Sequence, residues 1–176
     1  MNAMSITNVE IKAICRDLER ARKIILSRQA NYIGLDHQVD HYYETPEGKL
    51  KLRIGNIEKA LIFYRRQQQK YPKVSHINLY HTDQPESLDN VLSAALKKTV
   101  TVDKQREIYF IDNIKIHLDT VLKLGTFIEI EAIDNENRFS HKELLEQCRN
   151  LMKIFKIQTK DLMMESYSDM LLKIKS

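Results

Sequence analysis

The sequence predicts an α+β fold, with about eight strands and four helices in mixed order and a mainly antiparallel sheet. Several runs alternate apolar and charged residues with period two, which is typical of β-strands. Other stretches repeat apolar residues at helical spacing. A chain of 176 residues with 43% hydrophobic and 30% charged residues is typical of a globular protein with a substantial core. No linker composition or repeat is evident, so we expect one domain over residues 1–176.

Short turns connect several of the predicted strands. The strands are predicted at residues 8–13, 37–43, 49–55, 60–67, 73–82, 99–112, 114–121 and 125–132. Thr45-Pro46-Glu47-Gly48 and Asp112-Asn113 are turn signals that predict hairpins. Eight is also the strand number at which small barrels commonly close.

The predicted helices carry recognisable boundaries. An amphipathic helix is predicted over residues 14–28, and Pro85-Glu86-Ser87 begins a second helix that runs through Leu96. Ser140 with Glu143 predicts a capping box at the start of a third helix. A last helical stretch covers residues 161–173, with a break near Ser166.

Several strands carry their charges on one face and their apolar residues on the other. The charged faces comprise Asn8, Glu10 and Lys12; Lys49, Lys51 and Arg53; Lys104 and Arg106; Lys115, His117 and Asp119; and Glu129 and Glu131. Two arrangements satisfy this pattern. Either the charged face of a sheet lies in bulk water, or the sheet curls so that the charges line a water-filled interior with helices outside.

The residue types favour the interior arrangement, because a cation-rich strand beside a carboxylate-rich strand fits a polyanion bridged by a divalent metal. Burying so many charges without ligands would cost several kcal/mol per ion. The candidate metal ligands are Glu10, Asp119, Glu129 and Glu131. The candidate phosphate-binding cations are Lys12, Lys51, Arg53, Arg66, Lys104 and Arg106.

Composition narrows the class of protein further. The longest apolar run is too short for a membrane span, and no export signal is apparent. Cys15 and Cys148 are isolated thiols without metal-type spacing, so we expect a cytoplasmic protein with reduced cysteines. A net charge of +4 without a dense basic run argues against nucleic acid as a partner. His117 and Asp119 lack the further Cys or His ligands that a zinc site would need.

These residues resemble a known family. The run Asn8-Val9-Glu10-Ile11-Lys12-Ala13 is similar to the Glu-x-Glu-x-Lys signature of the CYTH superfamily, the triphosphate tunnel metalloenzymes. The resemblance continues in order along nearly the whole chain, and its branch looks like the class IV adenylate cyclases. The similar segments are residues 38–43, 48–53, 61–66, 102–107, 117–121, 124–131 and 166–172.

The resemblance implies an eight-stranded antiparallel barrel, or tunnel, with helices packed outside, which binds a triphosphate with Mg²⁺ or Mn²⁺. Glu10, Glu129 and Glu131 would be metal ligands, and Asp119 would be another ligand or a group behind the ligands. The phosphates would be held by Lys12, Lys51, Arg53, Lys104 and Arg106. The family pattern favours Arg66 as a further inward cation, with Arg65 as the alternative.

One departure from the pattern concerns the metal site. Asn8 stands where the family signature has its first Glu, which weakens or shifts a metal site because an amide oxygen carries no charge. The expected activity is that of an adenylate cyclase, which converts ATP to cyclic AMP and pyrophosphate. The alternatives are an inorganic or thiamine triphosphatase and a non-catalytic binder of nucleotides or polyphosphate. The sequence identifies no general base, and it leaves the oligomeric state open, with a homodimer as one alternative.

Overall fold

The computed structural model describes residues 7–66, 75–134 and 138–175, with the backbone alone at residues 7, 8, 66, 75, 76 and 175. The strands are β1 (Thr7–Ile14), β2 (Asn31–Tyr43), β3 (Lys49–Gly55), β4 (Ala60–Arg66), β5 (Ser75–His81), β6 (Lys98–Ile111), β7 (Ile114–Val121) and β8 (Gly125–Asp134). The helices are α1 (Leu18–Leu26), α2 (Pro85–Ala95), α3 (His141–Phe155) and α4 (Tyr167–Lys175), with a 3₁₀ turn at Thr159–Asp161.

All eight strands form one sheet in the order β1-β8-β7-β6-β2-β3-β4-β5, and each neighbouring pair is antiparallel. The two edge strands, β1 and β5, contact each other. The sheet is therefore curled into a half-barrel with a distinct inner and outer face. This confirms the predicted α+β fold with eight antiparallel strands.

The apolar face of β1, β7 and β8 forms the main core beneath the helices. Ile11, Ile116 and Ile130 are buried there. Ile25 of α1 and Leu144 of α3 pack into the same cluster and are fully buried. Because the apolar face points outward under these helices, the charged face of the same strands points into the half-barrel.

Helix α4 packs against one end of the inner face. Its Tyr167 and Leu171 join Val100, Val121 and Phe127 in a second apolar cluster. The rings of Phe127 and Tyr167 lie 4.9 Å apart between centroids. This helix therefore covers one end of the half-barrel.

Local capping explains where two helices begin. Helix α1 starts at Leu18 and not at residue 14, because Ile14 belongs to β1 and Asp17 caps the helix by accepting the N–H of Arg20. The predicted capping box of Ser140 and Glu143 is present.

Among the strands, the largest difference from the predicted boundaries lies at the start of β2. Strand β2 begins at Asn31, six residues before the predicted start, where pairing with β6 extends a segment that lacks clean alternation. The predicted break near Ser166 is present, because α4 starts at Tyr167 after Ser166, whose hydroxyl accepts the N–H of Asp169. No described helix has the length and apolar character needed to cross a membrane.

Candidate active site inside the curled sheet

The inner face of the sheet encloses a cavity of about 530 Å³. Its lining combines cations and carboxylates from six of the strands with the turn between β3 and β4. The charged and imidazole side chains among the lining residues are Glu10, Lys12, Asp40, Lys51, Arg53, Glu58, Lys59, His81, Asp83, Lys104, Arg106, Lys115, His117, Glu129 and Glu131. The predicted convergence of charged strand faces on one enclosed space is therefore present.

Asp40 of β2 organises the cationic part of the cavity. Its carboxylate is fully buried and accepts hydrogen bonds from Lys51 Nζ at 2.9 Å, Arg53 Nε at 2.8 Å and Lys104 Nζ at 2.8 Å. Burial alone would raise the pKa of Asp40, but the charges of these cations outweigh it and hold the pKa well below its usual range. Three cations thus share one carboxylate and are fixed in position for an anionic ligand.

The pKa values of the two lysines in this cluster are lowered. Burial lowers the pKa of Lys104 to about 7, although Asp40 opposes the shift. Burial and the neighbouring Arg53 lower the pKa of Lys51 to about 8. An anion placed beside them would favour their charged forms, so phosphate binding and proton uptake are coupled here.

Glu58 crosses the cavity from the turn between β3 and β4. It accepts hydrogen bonds from Arg53 at 2.6 Å, Lys115 at 2.5 Å and Gln38 at 3.0 Å. Asp36 fixes the turn by accepting the backbone N–H groups of Ile57 and Glu58. This carboxylate therefore links β3 to β7, which are not neighbours in the sheet.

A glycine makes this turn compatible with Asp36. A Cβ atom on Gly55 would lie 2.5 Å from the carbonyl oxygen of Glu58 and 2.8 Å from Oδ1 of Asp36. A side chain at this position would push the turn away from the carboxylate that anchors it.

The sequence pattern did not indicate Asp40 or Glu58 as site residues. Asp40 shares the alternation of its strand, whereas nothing periodic marks Glu58.

Glu129 is the most heavily paired carboxylate on the opposite wall. Its Oε1 lies 3.1 Å from Lys12 Nζ, and its Oε2 lies 2.6 Å from Arg106 and 3.3 Å from His117 Nδ1. Burial would raise the pKa of Glu129, but Lys12 and Arg106 outweigh burial and hold it well below its usual range. Glu129 is therefore ionised and anchored from three sides.

The pKa of Glu131 is shifted in the opposite direction to that of Glu129. It lies directly across from Glu10 in the register of β1 and β8, and Glu129 is on the same face of its own strand. Burial, followed by the charges of Glu129 and Glu10, raises the pKa of Glu131 to about 7. Three carboxylates thus lie together, and the nearby cations do not fully neutralise their negative charge. A bound divalent cation would reduce the repulsion among them.

His117 completes this carboxylate cluster. Each of His117, Glu129 and Glu131 offers one atom within 4.8 Å of the others. Burial and the charge of Arg106 lower the pKa of His117 to about 4, and its buried Nε2 has no hydrogen-bond partner among the described residues. A neutral imidazole and carboxylate oxygens are ligands suited to Mn²⁺, and the carboxylates alone suit Mg²⁺. The donor set therefore fits a divalent metal.

Asp119 lies behind the cavity and does not line it. Its two oxygens accept Arg106 Nε at 2.7 Å and an Arg106 terminal nitrogen at 2.5 Å, and Tyr167 donates its hydroxyl to Oδ2 at 2.8 Å. Because both oxygens are engaged, the geometry supports the alternative of a group behind the ligands. Asp119 orients the guanidinium of Arg106, which also contacts Glu129.

The structure describes the side chain of Arg65 but not that of Arg66. Arg65 is 64% exposed and pairs with Glu47 at 3.5 Å, so it does not face the cavity. The side chain of Arg66 lies outside the described atoms, and so does that of Asn8, whose backbone pairs with Ile133. The predictions for these two side chains remain predictions.

The pKa of Glu131 leads to a pH-dependent effect of divalent metal. Because the folded protein holds this proton more tightly than the unfolded chain, stability falls as the pH rises from the ordinary pKa of 4.5 towards about 7. Metal binding competes with that proton, so we expect MnCl₂ to raise the melting temperature more at about pH 8 than at about pH 6. Thermal unfolding at both pH values measures the difference, and equal shifts would contradict it.

Comparisons with known proteins are consistent with this architecture. A profile of the CYTH domain matches residues 7–167. A search of curated protein sequences finds no significant match. Solved structures, by contrast, show extensive similarity in fold.

Three of these structures indicate the breadth of the similarity. The PH1012 protein from Pyrococcus horikoshii OT3 has a TM-score of 0.81 and 21% identity over 92% of this chain and 98% of that chain. A proposed adenylate cyclase from Vibrio parahaemolyticus has a TM-score of 0.78 and 18% identity over 94% of this chain and 97% of that chain. The S. pombe Pct1 RNA triphosphatase, in complex with the Spt5 CTD, has a TM-score of 0.55 and 14% identity over 89% of this chain and 86% of that chain. At these identities the likeness concerns the fold alone.

Proposed function

The chain belongs to the CYTH domain family, whose members act on triphosphates with a divalent metal, and from this premise we propose that it is an adenylate cyclase acting on ATP. The observation that carries the proposal is the cavity itself. A group of cations fixed around Asp40 shares one enclosed space with the carboxylates Glu10, Glu129 and Glu131. A metal–triphosphate complex requires both, cations for the phosphates and carboxylates for the metal.

The cations of the cavity would bind the phosphate chain. Arg53 and Arg106 present planar forks that match phosphate oxygens, whereas Lys51 and Lys104 provide compact charges. All four already have carboxylate partners in Asp40, Glu58, Asp119 and Glu129. They are therefore held in place before a substrate arrives, and phosphate oxygens would share or replace those partners.

Glu10, Glu129 and Glu131, with His117 beside them, would hold Mg²⁺ or Mn²⁺. When bound, such an ion neutralises phosphate charge and favours ionisation of a coordinated hydroxyl group. The protein residues supply orientation, since Arg106 is fixed by Asp119 and Tyr167 from behind. Helix α4 covers one end of the cavity and limits access of water from that side.

In the proposed cyclase reaction, the ribose 3′-hydroxyl attacks the α-phosphate of ATP and pyrophosphate leaves. The bond between the α-phosphorus and the oxygen that bridges to the β-phosphate breaks as the cyclic ester forms. The hydroxyl proton passes to solvent or to the leaving group. No cavity side chain is assigned as the general base. Positioning and charge neutralisation account for the role of every residue named.

A triphosphatase is the second candidate, because the Pct1 RNA triphosphatase shares the fold and because the same cations and carboxylates would serve hydrolysis. In that reaction water, not ribose, attacks a phosphoryl group. The reaction product therefore distinguishes the two activities.

The test is incubation of the purified protein with ATP, thiamine triphosphate or tripolyphosphate and Mg²⁺ or Mn²⁺. We expect cyclic AMP and pyrophosphate from ATP, with no turnover in EDTA. Orthophosphate from any of the three would establish a triphosphatase instead. Binding of all three without any product would contradict an enzymatic role.

A further inference from the structure

Part of the cavity wall is apolar. On the inner face of β4 and β5, Ile62 pairs with Leu79 and Tyr64 pairs with Ile77 across the two strands. All four side chains line the cavity. They form a contiguous patch, which we call the apolar wall, on the inner face of the sheet at its β5 edge.

The apolar wall is accessible to a ligand. Leu79 lines the cavity and is nevertheless 49% exposed, and Ile57, from the turn between β3 and β4, also lines it with 43% exposure. Single exposed apolar residues are common on protein surfaces. A cluster of them inside a cavity with many charged lining residues is different, because phosphate oxygens and metal ions gain nothing from contact with apolar side chains.

The apolar wall adjoins the cations that would hold phosphates. Ile62 is the direct cross-strand neighbour of Lys51, and Leu79 is the next residue in the same row. Two strand spacings separate the backbones of β3 and β5, about 10 Å. A ligand with an anionic chain and an apolar ring at its two ends would span this distance.

Polar groups lie at the rim of the same region. Asn56, His81 and Thr82 also line the cavity, and between them they offer hydrogen-bond donors and acceptors. A flat heterocycle pairs an apolar face with polar edges. It therefore matches an apolar wall with polar side chains at its margin.

We propose that the apolar wall formed by Ile62, Tyr64, Ile77 and Leu79 binds the base of a nucleoside triphosphate whose phosphates lie on the cations of β3 and β6. This inference rests on the proposed function and deepens it, since it assigns the residues that bind the organic part of the substrate. The cavity volume of about 530 Å³ lies within the range of about 300–1,000 Å³ typical of pockets for organic ligands.

The test compares ATP with tripolyphosphate as ligands of the Leu79→Ser variant. Leu79 is half exposed, so this change has little effect on folding. The matched control is Tyr80→Ser, since Tyr80 is adjacent on the strand, points to the other face and is 66% exposed. Isothermal titration calorimetry in EDTA measures both affinities without turnover.

We expect Leu79→Ser to weaken ATP binding about tenfold and to change tripolyphosphate binding less than about twofold. Tyr80→Ser should leave both affinities unchanged, and Leu79→Met should retain ATP binding. Equal losses for the two ligands, or no loss for ATP, would overturn the base-binding role. If the unmodified protein binds neither ligand even with Mn²⁺ present, the proposed function itself fails.

Discussion

Replacing Asp40 with Asn is expected to destabilise the protein by about 3–5 kcal/mol, because it leaves Lys51, Arg53 and Lys104 buried without their shared carboxylate. The amide is nearly isosteric, so the loss reflects charge and not volume. Urea unfolding followed by circular dichroism measures the free energy of unfolding. The effect should be smaller at high pH, since the pKa of Lys104 is already lowered to about 7.

The same variant should respond unusually strongly to polyanions. Tripolyphosphate supplies the negative charge that the Asp40→Asn protein lacks, so we expect it to restore much of the lost stability. Asp103→Asn is the matched control, because Asp103 is 40% exposed and pairs with His37 at the surface. An Asp40→Asn protein as stable as the unmodified one would show that these cations do not depend on Asp40.

The Glu131→Gln substitution is expected to reduce metal-dependent turnover at least about 100-fold while leaving the fold intact. The carboxylate is lost at the point where Glu10, Glu129 and Glu131 meet. Without metal, the same change removes repulsion among these carboxylates. The melting temperature in EDTA at about pH 8 should therefore stay the same or rise.

Loss of activity without loss of metal-free stability distinguishes a ligand from a structural residue. Initial rates with saturating Mn²⁺ and melting temperatures in EDTA provide the two measurements. Glu146→Gln serves as the control for loss of a carboxylate elsewhere, because Glu146 is exposed on α3 and does not line the cavity. Unchanged activity in Glu131→Gln would remove Glu131 from the metal site.

The alternation of charged and apolar residues in the sequence predicted much of the sheet and its charged inner face. The period-two pattern around Glu129 and Glu131, and that of Lys51 and Arg53, correctly places each charge on one face. It cannot show which charges meet, because pairing depends on the register between strands far apart in the chain. The meeting of Glu10 with Glu131 is such a case.

The strand alternation does not determine two further features, for different physical reasons. Glu58 lies in a turn, where no periodicity indicates direction, and its place in the cavity depends on the anchoring of the turn by Asp36. Asp119 follows the alternation, but its carboxylate is fully engaged by Arg106 and Tyr167. Alternation assigns a face to a side chain but does not distinguish a group that lines a cavity from one behind it.

We expect the inner face of the curled sheet to bind a triphosphate together with a divalent metal. Calorimetric titration of tripolyphosphate into the protein, with and without Mn²⁺, tests it most directly. We expect one triphosphate per chain, an affinity increased at least about tenfold by Mn²⁺, and loss of that increase in Glu131→Gln. Absence of binding, or binding that neither Mn²⁺ nor the substitution alters, would contradict a joint site for triphosphate and metal.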